Sequence, residues 1–203
     1  MKQTEIAADK YEKEDLQTAL KVLREGGVIL YPTDTVWGIG CDATNEEAVK
    51  RIYSIKRRAD NKAMLVLIDA PGRLRTYVED IPETAWTLLE NTGLSAEERP
   101  LTIIYPRARQ LAPSLTGDDG SIGIRITAEP FSHALCAGLG KPVVSTSANI
   151  SGEATAKTFT SISPEIINAV DYVCRFRRND NRPHKPSAVI KVNEDNSFEI
   201  IRK

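Results

Sequence analysis

Apolar residues recur along the chain with two distinct spacings, which predict helices and buried strands in alternation. Those between positions 16 and 23 share one helical face, and the pattern ends at Gly26-Gly27, a usual helix stop. The apolar run 28–31 then predicts a buried strand. By the same criteria we expect helices over 46–55, 71–78, 82–89, 130–139 and 164–170. Further strands are expected over 64–68, 101–105, 121–126, 142–145, 172–176, 188–192 and 198–201.

The order of these elements indicates one α/β domain built on a mixed sheet. Strands alternate with helices early in the chain and crowd together late. The 203 residues fit a single domain spanning 1–203, and the sequence holds no internal repeat or linker-like tract. Residues 33–42, rich in hydroxyl groups and glycine, are expected to form a loop.

Composition and charge exclude several classes of protein. With 41% hydrophobic residues the chain can bury a sizeable core, whereas a net charge of −1 provides no overall field for nucleic acid or membranes. No apolar run reaches membrane-spanning length, and the polar N-terminus lacks the apolar segment of a secretion signal. Three widely spaced cysteines suit free thiols in a reducing compartment. We therefore expect a cytoplasmic protein.

Several common catalytic arrangements are missing from the sequence. There is no GxxxxGK[ST] phosphate loop, and the GxGxxA letters at 38–43 stand six residues after the preceding strand, too far for a tight strand-to-helix turn. His133 falls inside a predicted helix and His184 in a basic, proline-rich loop, so neither suggests a base or a metal ligand. An enzyme with this sequence would work without either.

The segment 31–38, YPTDTVWG, is the first candidate for chemistry. Two threonines and Asp34 follow a predicted strand there, and such short groups on a fixed loop can hold the ammonium, hydroxyl or carboxylate of an amino acid. The alternative is a turn in which these side chains bind their own backbone. Taken alone, the segment favours the turn.

Basic residues form the second candidate. Lys56, Arg58 and Lys62 follow the predicted helix 46–55 and lead into the buried strand 64–68. Cations at a helix C-terminus complement the helix dipole, so a solvated helix end would explain them. Their position before a buried strand instead favours a cleft, where forked and point charges together recognise polyphosphate.

Two further groups lie at predicted strands. Residues 145–152, STSANISG, place small hydroxyls and an amide after an apolar strand, which suits ribose and phosphate oxygens, with a polar turn as the alternative. Arg125 interrupts an apolar strand, where a buried charge is costly unless it is paired, so it lies either on an exposed face of the strand or at a site where it meets an anion. Further cations near the C-terminus are Arg175, Arg177, Arg178, Arg182, Lys185 and Arg202.

Together these stretches resemble the YrdC/TsaC family, the threonylcarbamoyl-AMP synthases of tRNA modification. The resemblance extends from Gly27 to Arg202 and rests on PTDTVWG, on Lys56-x-Arg58 with Lys62, and on Ser147-x-Asn149. It implies a twisted, largely antiparallel mixed sheet flanked by helices, with a basic concave cleft. We expect the short, stand-alone form of the family.

The resemblance also implies a reaction. L-Threonine, bicarbonate and ATP would give threonylcarbamoyl-AMP and pyrophosphate, with Mg²⁺ held by the ATP phosphates and water. The threonine carbamate would attack the α-phosphate, so no side-chain nucleophile is needed. Other proteins would transfer the threonylcarbamoyl group to N6 of adenosine 37 in tRNA, while direct contact of tRNA with this chain stays open.

Matching positions in the motifs imply roles for individual residues. Lys56 and Arg58 are predicted to be catalytic. The nucleotide would contact Arg58, Lys62, Ser121, Ser147, Asn149, Thr155 and Arg202, and threonine would contact Thr35, Arg125, Ser145 and Ser187. No residue is assigned to a metal, and Asp34 is, by elimination, a candidate for deprotonating the threonine amine.

The sequence departs from the family pattern mainly on the threonine side. The usual tyrosine of the first loop is Trp37, and the acid-Ser-Thr pattern reads Pro186-Ser187-Ala188. Two other readings stay open: an RNA-binding module that uses the same cleft, and a paralogous enzyme that makes another carbamoyl-adenylate. The net charge of −1 argues against the RNA-binding module, since such domains are usually markedly basic.

Overall fold

The computed structural model describes residues 11–57, 64–91, 99–181 and 186–203. These residues form a nine-stranded sheet with helices on both faces. The helices are α1 (Lys13–Arg24), α2 (Glu46–Lys56), α3 (Leu74–Tyr77), α4 (Glu83–Asn91), α5 (Pro130–Leu139) and α6 (Pro164–Ala169). The strands are β1 (Ile29–Tyr31), β2 (Gly38–Gly40), β3 (Leu65–Ile68), β4 (Leu101–Tyr105), β5 (Ile122–Ile126), β6 (Val143–Ser147), β7 (Tyr172–Val173), β8 (Ala188–Val192) and β9 (Phe198–Arg202). Short 3₁₀ turns span Pro71–Arg73, Pro113–Leu115 and Phe159–Ser161.

The sheet is mixed, with strand order β7-β1-β2-β6-β3-β5-β4-β8-β9. Five of its eight neighbouring pairs are antiparallel, and the pairs β1–β7, β3–β5 and β4–β8 are parallel. The prediction of a mixed, largely antiparallel sheet is therefore confirmed. No described helix is both long and apolar enough to cross a bilayer.

Alternation along the central strands divides the core into two layers. Leu30 packs in one hydrophobic cluster with residues of α2 and α6, whereas its neighbours Ile29 and Tyr31 pack in a second cluster with α1 and α5. Val144 and Val143 divide in the same way on β6. Successive strand residues face opposite sides of a sheet, so strands buried on both faces read as unbroken apolar runs.

The ends of α2 and α5 lie within one residue of the predicted bounds because their caps are local. The helix predicted over 71–78 is instead a 3₁₀ turn followed by the short helix α3. Asn45 caps α2, where its Oδ1 accepts from the Ala48 amide at 3.1 Å. The Glu129 carboxylate accepts from the first amides of α5, and Gly140 ends that helix in the left-handed conformation, at φ 72°. Such caps satisfy backbone groups that a helix leaves unpaired at its ends.

The prediction of a loop over 33–42 is wrong in part, because Gly38–Gly40 forms β2 between β1 and β6. A Cβ at Gly40 would lie 2.5 Å from the Val144 carbonyl oxygen and 2.6 Å from the Tyr31 ring. Because its glycines lack side chains, β2 can approach β1 and β6 closely. The same glycines make the segment look like a loop in the sequence.

Candidate functional site

A cavity of about 390 Å³ opens on the face of the sheet that also carries α1 and α5. Its floor includes Arg125 of β5 and the last three residues of β6, of which Ser145 and Ser147 point to the same side of the sheet. The loop after β1, residues Thr155 and Lys157, the two residues before β8 and the end of β9 form its walls. The described residues that line it are Thr35, Val36, Gly38, Met64, Leu65, Arg125, Ser145, Thr146, Ser147, Thr155, Lys157, Pro186, Ser187 and Arg202.

The charges on this lining are all positive. Arg125, Lys157 and Arg202 line the cavity, and none of the described lining residues is an aspartate or a glutamate. Burial lowers the pKa of Arg202, and repulsion from Arg99 and Arg125 lowers it further. The cavity is therefore arranged to receive an anion, with hydroxyl groups beside the cations.

The loop after β1 is held in shape by its own hydroxyl groups. Thr33 Oγ1 donates to the Val36 carbonyl oxygen at 2.7 Å and lies 3.1 Å from Thr35 Oγ1. Because the single Thr33 hydroxyl proton is used on Val36, the Thr35 hydroxyl must be the donor between the two threonines. The lone pairs of Thr35 Oγ1 are then left to accept a hydrogen bond from a ligand in the cavity.

Asp34 of this loop forms a buried ion pair with Arg125 of β5. Their side chains are 3% and 9% exposed, and Arg125 Nη2 lies 2.9 Å from Asp34 Oδ1. The contact is not directed as a hydrogen bond, so Asp34 Oδ1 and Arg125 Nε are both buried without a hydrogen-bond partner among the described residues. Burial raises the pKa of the Asp34 carboxyl, which the charge of Arg125 partly offsets.

Ser187 joins three strands on the opposite wall. Its hydroxyl lies 2.9 Å from Thr102 Oγ1 of β4. Arg202, at the end of β9, donates through Nε to the Ser187 carbonyl oxygen at 2.9 Å and through Nη2 to its hydroxyl at 3.1 Å. The Arg202 guanidinium is thus fixed along one edge at the cavity wall.

Lys56 supports the loop that follows β6. It is the last residue of α2 and 1% exposed, and its ammonium donates to the carbonyl oxygens of Ser147 and, at 2.6 Å, Asn149. The Asn149 amide donates to the carbonyl oxygens of Ile150 and Glu153, while its Oδ1 is buried with no hydrogen-bond partner in the described part of the chain. Lys56 therefore fixes the backbone that presents Ser147 and Asn149, and its direct part in catalysis stays a prediction.

The structure brings most of the predicted site residues together. Seven line the cavity: Thr35, Arg125, Ser145, Ser147, Thr155, Ser187 and Arg202. Asn149 and Lys56 meet at the loop that begins with Ser147. Ser121 does not line the cavity; it lies before β5, where its amide donates to Asp119. Arg58 and Lys62 lie outside the described residues.

Lys157 is a cavity residue that the sequence did not reveal. It lines the main cavity and also a narrow cleft shared with Thr33, Trp37 and Arg177. It is an isolated, exposed lysine eight residues after Asn149, so no local pattern marks it. No signal in the sequence could have pointed to it, because its place at the cavity depends on tertiary structure.

Comparison with known proteins was made by sequence and by structure. Residues 21–203 match the Sua5/YciO/YrdC family profile, described as "Telomere recombination". The threonylcarbamoyl-AMP synthase of Xanthomonas euvesicatoria pv. vesicatoria (strain 85-10) is 39% identical over 160 residues, which cover 78% of this chain and 84% of that protein. E. coli YciO superposes with a TM-score of 0.80 at 26% identity, over 97% of this chain and 92% of that one. P. abyssi Sua5 complexed with L-threonine gives 0.78 at 25% identity, over 91% and 53%.

Proposed function

Because this chain belongs to the Sua5/YciO/YrdC family, we propose that it is an L-threonylcarbamoyladenylate synthase, an enzyme of the nucleotidyltransferase kind. It converts L-threonine, bicarbonate and ATP into threonylcarbamoyl-AMP, pyrophosphate and water. The observation that carries this proposal is the cavity of about 390 Å³, whose described lining combines three cations with a group of small hydroxyls and no carboxylate. Ligand pockets commonly have volumes of this order.

L-Threonine binds on the side of the first loop. Arg125 meets its carboxylate, because a guanidinium in a water-poor cavity pairs well with that group. Thr35 Oγ1 accepts a hydrogen bond from the amino group or from the substrate hydroxyl, and Ser145 and Ser187 supply further polar contacts. P. abyssi Sua5, similar to this chain in structure, has been crystallised with L-threonine.

ATP binds on the side of the loop after β6. Ser147, Asn149 and Thr155 contact the nucleotide, and Asn149 Oδ1 is a buried acceptor without a donor among the described residues. Arg202 neutralises phosphate charge, and we assign Lys157 the same role. From the sequence we expect Arg58 and Lys62 to bind phosphate and Arg58 to act in catalysis, while Lys56 holds the loop.

Catalysis rests on orientation and charge rather than on a side-chain nucleophile. The carbamate formed from threonine and bicarbonate attacks the α-phosphate, and the cations stabilise charge as pyrophosphate leaves. Mg²⁺ would supply charge neutralisation on the triphosphate, and we expect phosphate oxygens and water, rather than protein side chains, to hold it.

The product is labile and leaves for other proteins. We propose that threonylcarbamoyl-transfer proteins use it to modify adenosine 37 of tRNA, and that the enzyme acts in the cytoplasm. The cysteines Cys41, Cys136 and Cys174 are all free and buried, which fits a reducing compartment.

Mass spectrometry of the products tests the proposal. Purified enzyme with ATP, Mg²⁺, bicarbonate and L-threonine is expected to release pyrophosphate and threonylcarbamoyl-AMP. Reactions without threonine, and with serine or carbamoyl phosphate instead, serve as controls. A carbamoyl-adenylate that forms equally well without threonine would assign the chain to a different reaction, and RNA retention without ATP consumption would assign it to RNA binding.

A further inference from the structure

The ion pair between Arg125 and Asp34 is matched in charge but incomplete in hydrogen bonding. Nη2 and Oδ1 are 2.9 Å apart, yet neither Asp34 Oδ1 nor Arg125 Nε has a hydrogen-bond partner among the described residues. Both side chains are more than nine-tenths buried. Buried polar atoms without partners are rare in folded proteins, because each one loses its hydrogen bonds to water. Such a pair needs an explanation beyond stability.

The order of the groups along the pair gives the explanation. Arg125 lines the cavity, whereas Asp34 is not one of its lining residues. Of the two groups, the guanidinium is therefore the one presented to the cavity. A base acting on the substrate amine must reach the cavity, so this arrangement disfavours that role for Asp34.

We propose that Asp34 is a positioning residue: it neutralises Arg125 without occupying its hydrogen-bonding edge, and so keeps the guanidinium turned toward a carboxylate bound in the cavity. The proposal deepens the proposed function, because that carboxylate is the one of L-threonine. A fully hydrogen-bonded Asp34–Arg125 pair would satisfy the guanidinium and compete with the substrate. The loose pair instead leaves donors to be completed by the ligand.

A second arginine fixes the loop that carries Asp34. Arg177 donates through Nη1 to the Thr33 carbonyl oxygen at 3.1 Å and through Nε to Asp180 at 2.9 Å, and Nη1 lies 3.8 Å from Glu129. The charges of Arg125 and Arg177 both oppose the effect of burial on the pKa of Asp34. Because Arg177 holds the backbone next to Asp34, the Asp34 side chain cannot move to form a well-directed hydrogen bond with Arg125.

Substrate-specific kinetics test this role. Asp34→Asn keeps the shape and removes the charge, and we expect it to raise the KM for L-threonine by about tenfold while the KM for ATP changes less than about twofold. Asp34→Glu restores the charge and should recover part of the threonine affinity. In an Arg125→Met background, Asp34→Asn should cause no further change, since Asp34 acts through Arg125. Equal changes in both KM values, a fall in kcat alone, or additive effects in the double variant would overturn the proposal.

A readout independent of turnover separates this proposal from the proposed function. The Arg125 Nε–H signal in ¹⁵N NMR spectra, identified by its loss in Arg125→Met, should be shifted or broadened in Asp34→Asn. An unchanged signal overturns the positioning role even in an active enzyme. If Asp34→Asn does not fold, the Asp34→Asn/Arg125→Met variant lacks the uncompensated charge and is expected to fold, and Asp34→Glu then supplies the spectrum. The proposed function fails separately, if the wild-type protein forms no threonylcarbamoyl-AMP.

Discussion

Replacement of Lys56 by methionine tests whether this buried lysine acts by holding the loop that follows β6, where we propose that ATP binds. Methionine has similar length and fills the same space, but it cannot donate to the carbonyl oxygens of Ser147 and Asn149. A hydrogen bond to a charged group contributes about 1.5–3 kcal/mol. Two such bonds are lost, while the cost of burying the ammonium is removed as well, so we expect a net destabilisation of about 2–4 kcal/mol.

The loss should appear both in melting and in catalysis. For a domain of this size, about 2–4 kcal/mol corresponds to a fall of roughly 5–15 °C in Tm. Because the Ser147–Asn149 backbone is then free to shift, the KM for ATP should rise and kcat/KM should fall by about 100-fold, the scale expected for a misplacement near 1 Å. The KM for L-threonine should change less.

Lys50→Met provides the matched control on the same helix. Its side chain is 57% exposed and lies 3.5 Å from Glu46 and 3.7 Å from Glu47, contacts that contribute less than about 1 kcal/mol. Differential scanning fluorimetry and pyrophosphate release measure both variants. If Lys56→Met lost ATP turnover with an unchanged Tm, Lys56 would act by direct contact with phosphate, and its role in holding the loop would be refuted.

Two further predictions concern the fold. Gly40→Ala places a Cβ 2.6 Å from the Tyr31 ring, so we expect the free energy of unfolding, measured by urea denaturation, to fall by about 1–3 kcal/mol. The control Gly72→Ala, whose Cβ would have nothing within 4 Å, should be nearly neutral. Equal urea midpoints for the two variants would contradict this. Asp171 pairs with Arg51 at 2.5 Å, which lowers its pKa, so its contribution is present above the unfolded value near pH ~3.9 and is lost as pH falls through the folded pKa. Asp171→Asn should therefore destabilise the protein by at most about 1 kcal/mol at pH 7, since the pair is largely exposed. The difference in unfolding free energy between wild type and variant should narrow below about pH 4. A difference that widened in acid would contradict the stabilising role of the ion pair.

Elements whose signals are local were predicted well from the sequence. The predicted bounds of α5 match the structure, because Pro130 begins the helix and Gly140 ends it. Strand β8 was also placed correctly, at an apolar run that Lys191 alone interrupts. Strand β2 was missed because its glycines owe their place to contacts with Tyr31 and Val144, which lie elsewhere in the sequence.

The candidate site shows the same division. Ser145 and Ser147 could be predicted because a dense run of small polar residues follows an apolar strand there and matches a family motif; in the structure both belong to β6, which turns them toward the same side. Lys56 was recognised as important, but the direction of its ammonium depends on the loop after β6 packing against the end of α2. Lys157 left no pattern at all, since its place at the cavity is set by tertiary structure alone.

The cations of the cavity are arranged in a way that favours a bound state over an empty one. Burial lowers the pKa of Arg202, and the nearby positive charges of Arg99 and Arg125 lower it further. Among the described residues Asp34 forms an ion pair with Arg125, and it does not line the cavity. An anion that enters removes repulsion between the cations and supplies an acceptor for Arg125 Nε, which is buried without a hydrogen-bond partner among the described residues. Since a ligand stabilises whatever state it binds, binding of the phosphates and of the amino acid carboxylate also stabilises the folded enzyme. Within the described part of the chain, the unpaired Nε–H of Arg125 is therefore the cost, in folding stability, of a site prepared for an anionic substrate.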